Sequence, residues 1–219
     1  LGVAGLVSCA HVSLRELYPV TARTNTADVY HGVSVQDPYR WLEDDNAPET
    51  KAWVAAENRV TFGFLNRIPQ RQAIQQRLTR LWDFERYGVP FKEGGRYFYA
   101  RNDGLQNQSV LYTLTSLEAA PTVLLDPNRL STDGTVALSG YALSDDGNWM
   151  AYGTASAGSD WQEWKVRDVR TAQDLGDHLK WVKFSSGSWT KDGKGFFYSR
   201  YDEPTEAARL TKLNYFHKL

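Results

Sequence analysis

Cys9 is the only cysteine among 219 residues, and it stands directly behind an apolar run. Leu1 to Ser8 reads LGVAGLVS, and Leu6-Val7-Ser8-Cys9 has the form of a bacterial lipobox: an apolar residue, two small or β-branched ones, then cysteine. The chemistry would be acylation of the thiol after cleavage before Cys9, with a basic segment expected upstream of the apolar run. The motif predicts a periplasmic protein, or one lipid-anchored at the envelope. The alternative is a cytoplasmic protein in which Cys9 is a stray buried thiol near a lightly packed N-terminus. A single cysteine excludes an internal disulfide framework and a cysteine-rich zinc site. The four histidines, His11, His31, His178 and His217, are scattered without metal-ligand spacing, so no histidine-based metal centre is expected.

Nucleophilic chemistry has no visible framework either. The chain holds no Gly-x-Ser-x-Gly elbow, no phosphate-binding loop and no dinucleotide fingerprint. Ser185-Ser186-Gly187-Ser188 precedes Trp189 and a turn, not a helix, and reads as a loop between strands. Acidic clusters occur at Glu43-Asp44-Asp45, Asp145-Asp146 and Asp202-Glu203. A paired-carboxylate glycosidase needs two carboxylates facing each other across roughly 5–9.5 Å. Sequence neighbours inside turns do not provide that, so these clusters read as solvated turns and caps. Lys+Arg is 25 against Asp+Glu 26, a net charge of −1, which leaves no basic excess for phosphates and argues against a nucleic-acid partner. No apolar run approaches the roughly 18–20 residues that a membrane-spanning helix needs. Eight Trp, twelve Tyr and nine Phe are too many for a disordered chain.

The elements that position these residues fall into two kinds. Residues 18–45 read as irregular and polar, with Asp37-Pro38 marking a turn. A helix is predicted from Pro48, because proline suits the first helical position. Trp53, Ala56, Val60 and Phe64 give it one apolar stripe. Asn66 to Pro69 breaks it. A second helix carries Ile74, Leu78, Leu81 and Trp82 on one face and ends before Glu85 to Pro90. From Phe91 the period changes from 3.6 to 2. Arg96–Ala100, Val110–Leu114 and Val123–Leu125 read as short strands with turn signals between them, as in an all-β architecture.

A repeat organises this second part. Glu93-Gly94-Gly95 leads into Arg96–Tyr99, Asp145-Asp146-Gly147 into Trp149–Tyr152, and Lys191-Asp192-Gly193 into Phe196–Tyr198. Gly95, Gly147 and Gly193 are 52 and 46 residues apart. A second strand is expected after each copy, at Val110–Leu114, Trp164–Val169 and Leu213–Phe216. A period of about 40–50 residues with several strands per unit is the signature of propeller blades. The glycine supplies the positive φ of a tight turn. The fold expected is mainly β with an N-terminal helical segment, in which about two and a half blades form part of a propeller. Residues 1–17 are a leader remnant and tether, 18–88 the helical segment, and 89–219 the blades. Leu1 is not methionine, and Leu213 to Leu219 stops within an alternating pattern. Both lead to the expectation of a piece of a longer chain.

Several motifs lie in one order along the chain. They are Asp37-Pro38-Tyr39 with Trp41-Leu42-Glu43-Asp44, Gly104-Leu105-Gln106-Asn107-Gln108, Leu125-Asp126-Pro127-Asn128, and Asp133-Gly134-Thr135-Val136-Ala137-Leu138. Gly140-Tyr141-Ala142, Gly158-Ser159-Asp160-Trp161, Val182-Lys183-Phe184-Ser185 and Trp189-Thr190 with Asp192-Gly193-Lys194-Gly195 follow. From about Tyr18 to Leu219 the chain resembles the N-terminal part of the prolyl oligopeptidase family of serine peptidases. The resemblance implies a seven-bladed propeller capping an α/β-hydrolase domain, to which the N-terminal helices belong structurally. It places the Ser-Asp-His triad beyond Leu219, so none of the catalytic residues is among these 219. It implies no cofactor and no metal, short proline-containing peptides as substrates, the downstream hydrolase domain as partner, and a monomer when full length. The competing readings are a propeller that only binds, without a hydrolase domain, and a sister oligopeptidase that cuts after basic residues. One residue carries over: Phe184 matches a propeller aromatic lining the pocket for the substrate residue two before proline. Read without the resemblance, Phe184 is a blade-core phenylalanine. Ser185, Ser186 and Gly187, which follow it, are smaller than in the animal members.

Overall fold

A computed structural model describes residues 18–205 and 215–219. Cys9 and the Leu6-Val7-Ser8-Cys9 motif lie outside the described residues, as do Leu213 and Asn214 of the expected strand Leu213–Phe216. The chain divides into two compact units at Leu78/Thr79.

The first unit contains a hairpin where an irregular stretch was expected. Strand β1 (Ala27–Tyr30) pairs antiparallel with β2 (Val33–Gln36). His31 (φ 51) and Gly32 (φ 83) both sit in the left-handed region, which is the geometry of a two-residue primed turn. Arg40 ties the hairpin to the turn that follows: its guanidinium pairs with Asp28 and, at 2.9 Å, with Asp37. Helix α1 (Pro48–Leu65) starts with proline in its first turn. Just before it, Asp44 Oδ1 accepts the N–H groups of Asn46 and Ala47 at 3.0 and 3.2 Å. Trp53 stands edge-on to Trp41 at 6.5 Å and donates its indole N–H to Thr21 at 3.0 Å. Helix α2 (Arg71–Trp82) follows, and Ile74, Leu78, Leu81 and Trp82 are all exposed.

The second unit is built of blades. In the first, β3 (Arg86–Tyr87) and β4 (Phe91–Glu93) share one edge of β5 (Arg96–Asn102), followed outward by β6 (Val110–Leu114) and β7 (Thr122–Leu125). Pro90, which cannot donate to a ladder, falls in the break of that edge strand. The second blade is an antiparallel run of β8 (Val136–Leu143), β9 (Trp149–Ser156), β10 (Gln162–Asp168) and β11 (Gln173–Val182). β12 (Ser188–Trp189) and β13 (Phe196–Phe197) begin a third. The strands expected at Arg96–Ala100, Val110–Leu114 and Val123–Leu125 are β5, β6 and β7.

Two apolar seams join the blades. Phe98, Leu111, Leu124 and Leu125 of the first blade meet Met150, Tyr152 and Val169 of the second. Ala151, Trp164 and Val182 form the other seam, with Trp189, Phe196 and Tyr198 packed against it. Strand β9 therefore sends alternate side chains to opposite seams, as a period of two requires. Hydrogen bonds cross both seams: Arg167 Nη1 donates to the Leu124 carbonyl at 2.8 Å, and Trp189 Nε1 to that of Ala142 at 2.9 Å.

The repeated turns lie side by side. In blades two and three they share one design. Ser144 and Thr190 hydroxyls donate to Asp146 and Asp192 at 2.6 and 2.7 Å, and the same carboxylates accept the N–H groups of Asn148 and Lys194. The Asp145-Asp146 cluster is thus a turn cap, as expected. Blade one replaces this loop with the two-residue turn Gly94-Gly95, both at positive φ. A Cβ on Gly94 would stand 2.0 Å from the Asp146 carbonyl, and one on Gly147 2.8 Å from the Glu93 oxygen. A Cβ on Gly95, the residue aligned by the sequence repeat, would meet open space.

Two outcomes follow for unfolding of the full-length protein. Gly95→Ala is expected to cost about 1–2 kcal/mol, the left-handed penalty alone. Gly94→Ala adds an overlap with immovable backbone and is expected to cost about 2–3 kcal/mol more; equal losses would show that the turns do not touch. The second concerns Tyr152, whose hydroxyl donates to Asp174 at 2.8 Å while Arg167 Nε holds the other carboxylate oxygen at 2.7 Å. Burial, then the bond to Asp174, pushes Tyr152 up to about 12. Its share of stability is complete below the unfolded value of about 10 and is lost as pH rises through the folded value. Tyr152→Phe should therefore lower neutral-pH stability by about 1–3 kcal/mol and show a shallower alkaline loss between pH 10 and 12, read by denaturant titration at each pH.

Candidate functional site

Strand β11 ends at Val182, which is fully buried, and Phe184 lies two residues on, 64% exposed. Among the described residues the Phe184 ring belongs to neither seam. The backbone explains the outcome. β11 carries a bulge between its pairings at Leu179 and Val182, and Trp181 within it has φ 63. Phe184 itself has φ 50, a conformation that costs an L residue roughly 1–2 kcal/mol. Two departures from extended backbone in four residues turn Val182 and Lys183 inward and Phe184 outward.

The segment is fastened on both sides. The Trp181 carbonyl accepts the Tyr201 N–H at 2.8 Å, and Ser185 Oγ accepts the Ser199 N–H at 2.8 Å. Gly187 then passes so close to the seam that a Cβ would meet the Trp164 ring at 3.2 Å. Ser185 to Gly187 form the expected loop between strands, and the chain enters β12. Since β12 ends at the Thr190–Gly195 turn, Phe184 and the stacked turns mark opposite ends of the blades.

Beside Phe184 is an aromatic group that sequence reasoning did not assemble. Trp161 stands perpendicular to Trp181 (5.7 Å, 86°) and to Tyr201 (6.0 Å, 88°), and Tyr201 stacks on His217 at 4.4 Å. The Lys183 ammonium lies 4.2 Å from the centre of the Trp161 ring. Trp161 and Lys183 both fall in motifs quoted above, so the residues were visible; their meeting depends on the bulge, which no spacing reveals. Of the other histidines, His31 occupies the β1–β2 turn and His178 pairs with Glu163 at 2.6 Å on an exposed strand face. Among the described residues no three His, Cys, Asp or Glu side chains gather as a metal set. What this end of the blades offers is an exposed aromatic face on a braced loop, suited to binding an apolar side chain.

The family profile that matches is the N-terminal β-propeller domain of prolyl oligopeptidase, over residues 19–219. The chain belongs to the prolyl oligopeptidase family. The prolyl endopeptidase of Elizabethkingia meningoseptica is 42% identical over 207 residues, covering 92% of this chain and 29% of its own length. Prolyl oligopeptidase A of Galerina marginata is 34% identical over 242 residues, covering 94% of this chain and 33% of its own. A solved structure from a study of two prolyl endopeptidases superposes with a TM-score of 0.77 at 35% identity, over 86% of this chain and 28% of that one. Prolyl oligopeptidase B from Galerina marginata, bound to a 25-residue macrocyclization substrate, gives 0.74 at 30% identity, over 86% and 30%. The chain thus spans about three tenths of the curated relatives it matches, and that portion is the propeller-bearing N-terminal one. The expected family and the mainly β, propeller-type fold hold.

Exposure makes a prediction about stability. In the full-length protein, Phe184→Ala should change unfolding free energy by about 0.5 kcal/mol or less, as for a surface position. Phe98→Ala, in the first seam and fully buried, should lose about 3–5 kcal/mol. Comparable losses for the two would make Phe184 a blade-core residue.

Proposed function

We propose that this chain is the N-terminal, propeller-bearing part of a serine endopeptidase that cleaves short peptides on the carboxyl side of proline. The observation that carries the reading is the 42% identity to a prolyl endopeptidase across 92% of the chain. The bond-breaking groups belong to an α/β-hydrolase domain downstream. There a serine attacks the carbonyl, a histidine takes its proton, and an aspartate orients the histidine. The blades act as a lid and size filter, admitting short peptides and excluding folded proteins and bulk water. The enzyme works as a monomer.

Phe184 lines the pocket for the substrate residue two before proline. Its exposure, its place at one end of the blades and its braced loop support this role. An aromatic face recognises an apolar side chain through buried area, equally in the ground and transition states. The contact therefore lowers KM and leaves kcat alone.

The test uses the full-length enzyme with chromogenic peptides carrying proline or arginine at the cleaved position. Turnover after proline is expected; turnover only after arginine would replace this reading with that of a sister oligopeptidase, and none with either would leave a binding propeller. Phe184→Ala should raise KM about 5–150-fold for a bulky apolar residue two before proline, the equivalent of roughly 1–3 kcal/mol. With glycine there the change should be small, and kcat should hold in both cases. Equal KM changes for both substrates would remove Phe184 from the pocket.

A further inference from the structure

Phe184 is exposed because its segment keeps a conformation that side chains resist, and something must hold it there. Trp181 (φ 63) and Phe184 (φ 50) are both left-handed. Two hydrogen bonds fasten the ends of the segment, Tyr201 N–H to the Trp181 carbonyl and Ser199 N–H to Ser185 Oγ, each at 2.8 Å. Neither reaches the middle. Lys183 does: it is only 9% exposed, an unusual burial for lysine, and its ammonium sits 4.2 Å from the Trp161 ring centre. Trp161 is in turn fixed by edge-on contacts with Trp181 and Tyr201. The cation seat of this aromatic box is thus filled by the chain's own lysine.

We infer that Lys183 is a positioning residue: its ammonium on Trp161 pins the 181–185 segment in the form that turns Phe184 outward to meet the substrate. The functional half of this inference rests on the pocket role of Phe184; the structural half does not. A side chain of similar length without charge would fill the box but lack the attraction to the ring face. Arginine would retain it, since a guanidinium also favours an aromatic face.

The test compares Lys183→Met, Lys183→Arg, Phe184→Ala and the Lys183→Met/Phe184→Ala double variant in the full-length protein. Two readouts are taken: backbone amide exchange across 183–186, and the ratio of KM values for peptides with glycine or a bulky apolar residue two before proline. Lys183→Met should speed exchange in the segment about tenfold, the size of one partly desolvated cation–π contact. Exchange at Met150–Tyr152 should stay unchanged. The KM ratio should shift in the same direction as in Phe184→Ala, with kcat constant, and Lys183→Arg should restore both readouts. In the double variant Lys183→Met should add nothing to the ratio. Trp161→Phe, a milder change, should move both readouts the same way by less, and stands in if Lys183→Met does not fold.

Unchanged exchange in Lys183→Met would overturn the inference. So would a general loss of protection with the KM ratio intact, which marks a merely structural lysine. If Phe184→Ala itself leaves the ratio unaltered, the pocket role of Phe184 fails, and exchange alone judges Lys183. Faster exchange with methionine but not arginine then keeps the pinning role; equal exchange in all three removes it.

Discussion

A four-stranded sheet has two faces and no interior of its own, so a blade becomes stable only when neighbours cover both. That constraint governs the second unit. Strand β9 shows it most plainly, with Met150, Ala151 and Tyr152 all at 1% exposure or less although they point to opposite sides. The two seams must also fit each other through one sheet thickness. Trp164 fills the second seam, and the strand beside it answers with Gly153, where any Cβ would come within 2.5 Å of the indole nitrogen. Large and small residues are therefore matched across strands, and their volumes cannot be changed independently.

Packing the seams brings the turns at one end of the blades into backbone contact. The Asp-Gly loops of blades two and three cap themselves through Asp146 and Asp192, while blade one presents a shorter Gly94-Gly95 turn. Gly94 lies against the Asp146 carbonyl, where even a Cβ would overlap the backbone of the next blade. At the other end of the blades the chain passes from one sheet to the next through the Phe184 loop. Gly187 and Trp189, which bound that loop, are both held against the second seam. The rigidity of the loop is thus partly a consequence of blade packing.

Much of this was legible in the residues. Helical spacing and Pro48 marked α1, and alternation with turn signals marked β5 to β7. The repeat gave blades, because a recurring turn-and-strand unit is a local pattern. What escaped was conformation that local pattern does not encode. The β1–β2 hairpin turns on His31-Gly32, a pair that adopts the primed geometry without the Asn-Gly sequence that usually announces it. The repeat selected Gly95, whereas contact with the next blade falls on Gly94; only the packed seams distinguish them. Phe184 was singled out through family resemblance, and taken by itself it read as core. Its outward turn depends on the bulge at Trp181, and the aromatic box beside it joins Trp161, just before β10, with Trp181 of β11 and Tyr201.

The exposure of Phe184 has a physical cost that its neighbourhood offsets. A large aromatic left in water forgoes burial, and a left-handed backbone adds strain. Both are tolerable because Val182 and Trp164 anchor the flanking chain and Lys183 fills the box beside it. A loop braced in this way loses little freedom when a ligand arrives, so the area buried on the ring is not spent on ordering the loop. A freely moving phenylalanine would collapse onto the nearest apolar surface and present no fixed shape. On the proposed role, the selectivity of the pocket therefore comes from two sources that act at different stages. The ring supplies contact area to whatever side chain reaches it. The seam and the lysine decide, before any substrate is present, where that area stands.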